Sequence, residues 1–129
     1  VATWTDVINY VRTRYEVLQD TDGWLRFRLD TEGERSQQVA VHHITAEDGD
    51  WVEISSPVGR ADDIDLRALL TAAATDPIGA AAVVDGVALL KHAAPLADRG
   101  VGVEFGGPLT RLVTRADALE RELTSADAF

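Results

Sequence analysis

The stretch "SQQVAVHHITAEDGDWVEISS", Ser36 to Ser56, decides how the rest of the chain is read. It sets two of the three histidines, His42 and His43, side by side in an apolar run, with Glu47, Asp48 and Asp50 close behind. Read as a ligand cluster, it is a metal or catalytic centre. Read as secondary structure, it is a strand ("SQQVAVHHIT"), a turn ("AEDGD") and another strand ("WVEISS"). The second reading disperses the cluster. Adjacent side chains on a strand point to opposite faces, so His42 and His43 cannot readily share one ion. Ligands on one strand need alternate positions and ligands on one helix need successive turns. The adjacent pair satisfies neither. A third ligand would have to be His92, brought over from elsewhere in the chain. The reading adopted is therefore no metal, no cofactor and no enzyme. A metal-dependent hydrolase built on His42, His43 and His92 is the remote alternative.

The flanking segments extend the sheet. In "GWLRFRLD", Leu25, Phe27 and Leu29 point one way and Trp24, Arg26 and Arg28 the other. "TEGER" is a turn. Three strands joined by tight turns make an antiparallel meander, which Pro57-Val58-Gly59 is expected to stop. Upstream, Trp4, Val7, Ile8, Val11, Tyr15 and Leu18 recur at helical steps. This helix is capped by Thr3 or Thr5 and ended by "QDTDG" with Gly23 as breaker. Downstream, "DDIDLRALLTAAATD" reads as a helix capped by Asp62 or Asp63 with acidic residues in its first turn. "IGAAAVVDGVALLKHAAPL" reads as a hairpin about Asp85-Gly86. "ADRGVGVEFGGP" is Gly-rich, with a short extended piece from Val101 to Phe105. The last helix carries Leu109, Leu112, Val113, Ala116, Leu119 and Leu123 on one stripe. Thr114 and Asp117 offer an alternative, later start as a capping box. The tail "TSADAF" is expected to fray. The predicted order is α-β-β-β-α-β-β-α: an α+β fold with an antiparallel five-stranded sheet and helices packed on it, in one domain spanning 1–129.

Composition narrows the function classes. The 129 residues fit one core, and 46% hydrophobic content is ordinary for a folded chain. There is no cysteine, which removes disulfides, thiolate zinc sites and cysteine nucleophiles. No apolar run is long enough for a transmembrane helix, and the first residues have no signal-peptide pattern. A cytoplasmic location is expected. Without an initial Met, the true N-terminus is expected upstream of Val1. A net charge of −10 repels nucleic acid and anionic membranes, so a protein is the expected partner.

Searching for chemistry finds no motif that names a reaction. Ser36, Ser55, Ser56 and Ser125 lie in no nucleophile elbow. Gly100, Gly102 and Gly106 have the wrong spacing for a dinucleotide loop, and no phosphate-loop lysine follows. "DTDG" and "EDGD" begin like calcium loops, but neither reaches the closing glutamate. One surface stands out instead. Trp51 and Glu53 share a strand face, and Trp24, Arg26 and Arg28 form a matching face on the first strand. Trp and Arg are the residues enriched at protein–protein hot spots. These five are the candidate site for self-association or partner contact, weighed against a solvated face with cross-strand Arg–Glu pairs. The hairpin from Val83 to His92 is a second candidate surface.

The order of elements, together with "WVEISSPVG", "DLRALL", "IGAAAVVDGVALLKHAAPL" and "ADALERELT", resembles the Tir-chaperone-like fold. This is the fold of class I type III secretion chaperones and of the YbjN-like bacterial proteins. The resemblance covers nearly the whole chain. It implies a small, acidic, non-enzymatic homodimer with chaperone-like or regulatory protein binding, through sheet surface and strand edges. It carries over no catalytic residue. A regulatory or immunity-type protein that masks a basic partner is the alternative.

Overall fold

The computed structural model describes residues 2–96 and 105–124. Its elements run α1 (Trp4–Arg14), β1 (Val17–Thr21), β2 (Trp24–Asp30), β3 (Ser36–Ala46), β4 (Gly49–Arg60), α2 (Leu66–Ala73), β5 (Ala80–Val84), β6 (Val87–Pro95) and α3 (Gly107–Thr124). The fold is α+β, with an antiparallel sheet and helices packed on it. The sheet has six strands rather than the expected five, in the order β1-β2-β3-β4-β6-β5.

The extra strand corrects the first helix. Thr3 caps α1 in a capping box: its hydroxyl accepts from the Asp6 N–H at 3.3 Å, and Asp6 accepts from the Thr3 N–H at 2.9 Å. The helix then stops at Arg14, because Tyr15 turns extended (φ −134°, ψ 157°). Its ring stacks on Phe27 of β2 at 5.3 Å between centroids, which draws the chain onto the sheet. Leu18, expected on the helix, lies in β1. Asp22 (φ 47°) and Gly23 (φ 78°) form a two-residue hairpin turn, not a helix end. Asp85 (φ 50°) and Gly86 (φ 78°) repeat this turn between β5 and β6, where the sequence predicts it.

Pro57 does not stop the sheet. β4 runs through it to Arg60, with a bulge against β6 between Pro57 and Gly59. Backbone pairing between β3 and β4 ends at Ala40↔Ser55. Beyond that point Pro57 has no N–H to offer a ladder. A side chain fills the gap. Buried Gln37 donates from Nε2 to the Ser56 hydroxyl at 3.1 Å and to the Pro57 carbonyl. The Ser56 hydroxyl donates to the Gln38 carbonyl at 2.6 Å. The two strands therefore stay joined while their backbones part.

The second helix is shorter than expected. Asp65 caps it, accepting from the Ala68 N–H at 3.1 Å, while Asp62 and Asp63 sit exposed in the preceding turn. No acidic residue occupies its first turn. The last helix is continuous from Gly107, so Thr114 and Asp117 do not begin it. Asp117 is instead buried. The predicted extended piece at Val101 and most of the Gly-rich segment lie outside the described residues, as does the tail beyond Thr124.

One side of the sheet holds the core. Leu25, Phe27, Val39, Val41, Val52, Ile54, Ala88 and Leu90 pack with Val7 and Val11 of α1, Leu69 of α2, and Leu109, Leu112, Val113 and Ala116 of α3. A polar tie fastens α3 to the β2–β3 turn. Arg35 meets Asp117 at 3.0 Å and Glu120 at 3.4 Å, and both carboxylates are buried. Another tie holds the end of α2. Asp76 accepts from the Ile78 N–H at 2.9 Å and pairs with Arg111 at 3.1 Å. The Ile78 hydrogen bond, with Arg111 and Arg115 behind it, holds the Asp76 carboxyl below its ordinary value of 3.8.

Two predictions follow from these ties. Arg35→Ala takes a cationic partner from two buried carboxylates and should destabilise the fold by about 3 kcal/mol in denaturant unfolding. Asp76 has a lowered folded pKa, so its contribution is complete above the ordinary carboxyl range and lost as pH falls through the folded value. The stability gap between wild type and Asp76→Asn should be widest near neutrality and close below about pH 4. Thermal unfolding across pH 3 to 7 checks this: a gap independent of pH would refute it.

Candidate functional site

Among the described residues no helix covers the other side of the sheet. The outward rows follow from the register. Trp24 faces His42, which faces Glu53, and Arg26 faces Ala40, which faces Ser55. Ser55 in turn pairs with Lys91. Trp51 lies between Ile44 and Pro95. Trp24, Arg26, Arg28, Trp51 and Glu53 thus occupy one face, opposite the helices.

The interactions on this face are specific. The Trp24 indole stacks on the His42 ring, 4.0 Å between centroids and 8° from parallel. The Arg26 guanidinium lies 5.0 Å from the Trp24 ring centre, a cation–π distance. Trp51 donates its indole N–H to Asp48 at 3.2 Å, which anchors it beside the β3–β4 turn. Arg28 donates to the Ser36 hydroxyl at 3.2 Å. Glu53 pairs with Lys91 of β6 at 3.3 Å, not with an arginine as the solvated-face reading supposed. Asp30, the next outward residue on the Arg28 row, and Asp85 at the depression set acidic groups beside Arg26, Arg28, Lys91 and Glu53, so the face carries charges of both signs.

Next to the aromatic row the face is concave. A depression of about 470 Å³ is lined by Leu18, Ala40, Pro57, Val84, Val87 and Leu89, among others. It lies where β3 and β4 part around Pro57. Val84, Val87 and Leu89 fall within the hairpin from Val83 to His92, the second candidate surface. Leu18 and Pro57 are outside the expected site, because the spacing predicts a helix through Leu18 and the end of the sheet at Pro57. The outward positions of β6, Val87 and Leu89, were legible in the alternation of the second hairpin.

The histidines disperse as strand geometry requires. His42 lies on the open face. His43 lies on the helix side, stacked on Trp4 at 5.2 Å, with Nε2 3.2 Å from the Asp50 carboxylate. His92 pairs with Ile54 on β6, separated from β3 by β4. Among the described residues no group of three His, Cys, Asp or Glu side chains is placed to hold a metal ion. Among those residues, too, no helix is long and apolar enough to cross a membrane.

A scan of the sequence against protein-family models finds no match, and no curated protein matches it. The geometry alone therefore carries the functional reading. With the histidines apart, excess zinc should leave the thermal unfolding midpoint unchanged. A zinc-dependent rise that vanishes in His43→Ala or His92→Ala would restore the metal reading.

Proposed function

We propose that this protein is a non-enzymatic protein-binding module, chaperone-like or regulatory, that works as a homodimer and contacts its partner through the open face of its sheet. The observation that carries the reading is the one-sided packing. The helices cover one face, and the other combines a stacked Trp–His pair, a second Trp and an apolar depression. Aromatic anchors beside a concave apolar floor, with arginines around them, are the composition of an interaction hot spot. Arg26, held over the Trp24 ring, offers a positive group to an acidic or amphipathic segment of the partner. Backbone groups at the strand edges offer a further mode, in which an extended segment adds to the sheet. The resemblance to the Tir-chaperone-like and YbjN-like proteins points the same way through the quoted segments, although β1 adds a strand to the element order on which it was drawn.

The alternative is an immunity-type protein that masks a basic partner. The net charge of −10 supports it. It would use a surface away from Arg26, Arg28 and Lys91, which repel a basic ligand. The two readings separate in one experiment. The protein retained by the wild-type chain is identified by co-purification and its affinity measured for Trp24→Ala/Trp51→Ala. The double variant should keep its circular dichroism and lose about 2 kcal/mol, near thirtyfold in Kd. Unchanged affinity in the folded double variant would remove the face from the function.

A further inference from the structure

The two edges of the sheet differ. β1 is blunted: its register shifts between Val17 and Gln19, and Glu16 and Asp20 carry charge along it. Bulges and charges of this kind discourage pairing with another strand. β5 has neither. Its register with β6 is unbroken from Ala80↔Lys91 to Val84↔Val87, and its five residues, AAAVV, contain no charge and no proline. Among the described residues it pairs with β6 alone. Large exposed apolar side chains also gather here. Val83 (51%) and Val84 (49%) lie on β5, and Leu70 (60%) lies on α2, which packs beside it.

The turn fixes which backbone groups are free. Asp85-Gly86 is a two-residue hairpin turn, so Val84 and Val87 form a hydrogen-bonded pair. By alternation Ala82 and Ala80 also bond to β6. Ala81 and Val83 therefore aim their N–H and C=O groups off the edge of the sheet.

We propose that β5 pairs antiparallel with β5 of a second copy of this chain, about a twofold axis through Ala82. This register sets Ala81 opposite Val83 of the second copy, and Val83 opposite its Ala81. Both positions have free groups, so both pairs form the double hydrogen bonds of an antiparallel ladder. An axis between two residues would set free groups against occupied ones. An axis at Ala81 or Val83 would leave one of these pairs without its partner. Side-chain size agrees with the same register. Val83 meets Ala81 and Val84 meets Ala80, whereas parallel pairing would set Val on Val and Ala on Ala. Charge agrees as well. At a net charge of −10 like charges oppose self-association over most surfaces, and this edge has none. The contact is isologous, so it closes at two copies. Val84 lines the depression on the open face, so pairing brings the two depressions towards each other across the axis. The inference rests on the homodimeric binding module proposed above and assigns the second copy to the edge, leaving the face for the partner.

The chain has no cysteine, which permits a direct test. In the proposed register the two copies of residue 82 form a non-hydrogen-bonded pair with Cα atoms about 4.5 Å apart. That lies within the range a disulfide spans, about 4.4–6.8 Å. The two copies of residue 84 would stand about 14 Å apart, from roughly 3.4 Å per residue along the strand and about 4.7 Å between strands. Mild oxidation should convert Ala82→Cys into a covalent dimer on a non-reducing gel and leave Val84→Cys uncrosslinked. Ala81→Pro, which removes an edge-facing N–H, and Val83→Lys, which adds charge, should each halve the mass seen by light scattering with circular dichroism unchanged. The Lys variant decides the matter if the Pro variant fails to fold. A monomeric wild type, equal crosslinking at both cysteines, or a folded Val83→Lys that stays dimeric overturns the proposal. The Trp24→Ala/Trp51→Ala chain separates the two readings. Loss of its dimer while Val83→Lys stays dimeric refutes the edge and keeps the face. Crosslinking of Ala82→Cys with partner affinity unchanged in the Trp variant refutes the face and keeps the edge.

Discussion

The antiparallel pairing of β4 with β6, from Trp51↔Pro95 to Arg60↔Val87, is the constraint on which the molecule depends. β4 also pairs with β3 over Ala40↔Ser55 to Ala46↔Gly49. It is the one strand that joins the N-terminal meander to the C-terminal hairpin. Its alternation sets which side of both halves is inside. Val52, Ile54 and Val58 are buried, and Trp51, Glu53 and Ser55 face outward. With α1, α2 and α3 satisfying one face, the opposite face has no cover from the described residues.

That joint has a weak point, and the chain handles it with a side chain. Pro57 interrupts the donors of β4 in the middle of a long strand. The buried Gln37 amide bonds to the Pro57 carbonyl and the Ser56 hydroxyl, so the two strands remain linked where their backbones part. The parting makes room for the depression. A structural repair on the inner side and a binding-type surface on the outer side are thus two results of one proline. The buried ion pairs of Arg35 act in the same spirit at the other margin. They hold α3 to the β2–β3 turn through carboxylates that would be costly to leave alone.

Charge and shape divide the surface by role. The acidic excess of the chain keeps most surfaces apart from one another, while the open face sets arginine beside tryptophan and the β5 edge is uncharged. A partner segment and a second copy therefore meet different physics. The first is selected by aromatic stacking and arginine, the second by backbone pairing and side-chain size.

Much of this was legible in the residues alone. Strand patterning and the turns between strands located β2, β3 and β4 and put Trp24, Arg26, Arg28, Trp51 and Glu53 on one face, and Asp85-Gly86 located the β5–β6 hairpin. Alternation also separated His42 from His43, because adjacent strand residues cannot share a side. The tertiary structure decided the rest. Tyr15 and Leu18 continue the helical spacing of α1, and only the stacking of Tyr15 on Phe27 turns the chain into β1. The signal available was Asp22-Gly23 before Trp24, the same turn chemistry that marked Asp85-Gly86. Pro57 reads as a terminator until the Gln37 side chain, 20 residues back and roughly 66 Å away along an extended chain at about 3.3 Å per residue, supplies the missing link. Local pattern determines which way a side chain points within its strand. Which strands become neighbours, which face the helices take, and which edge stays open depend on contacts between residues far apart in the chain, and no local period encodes them.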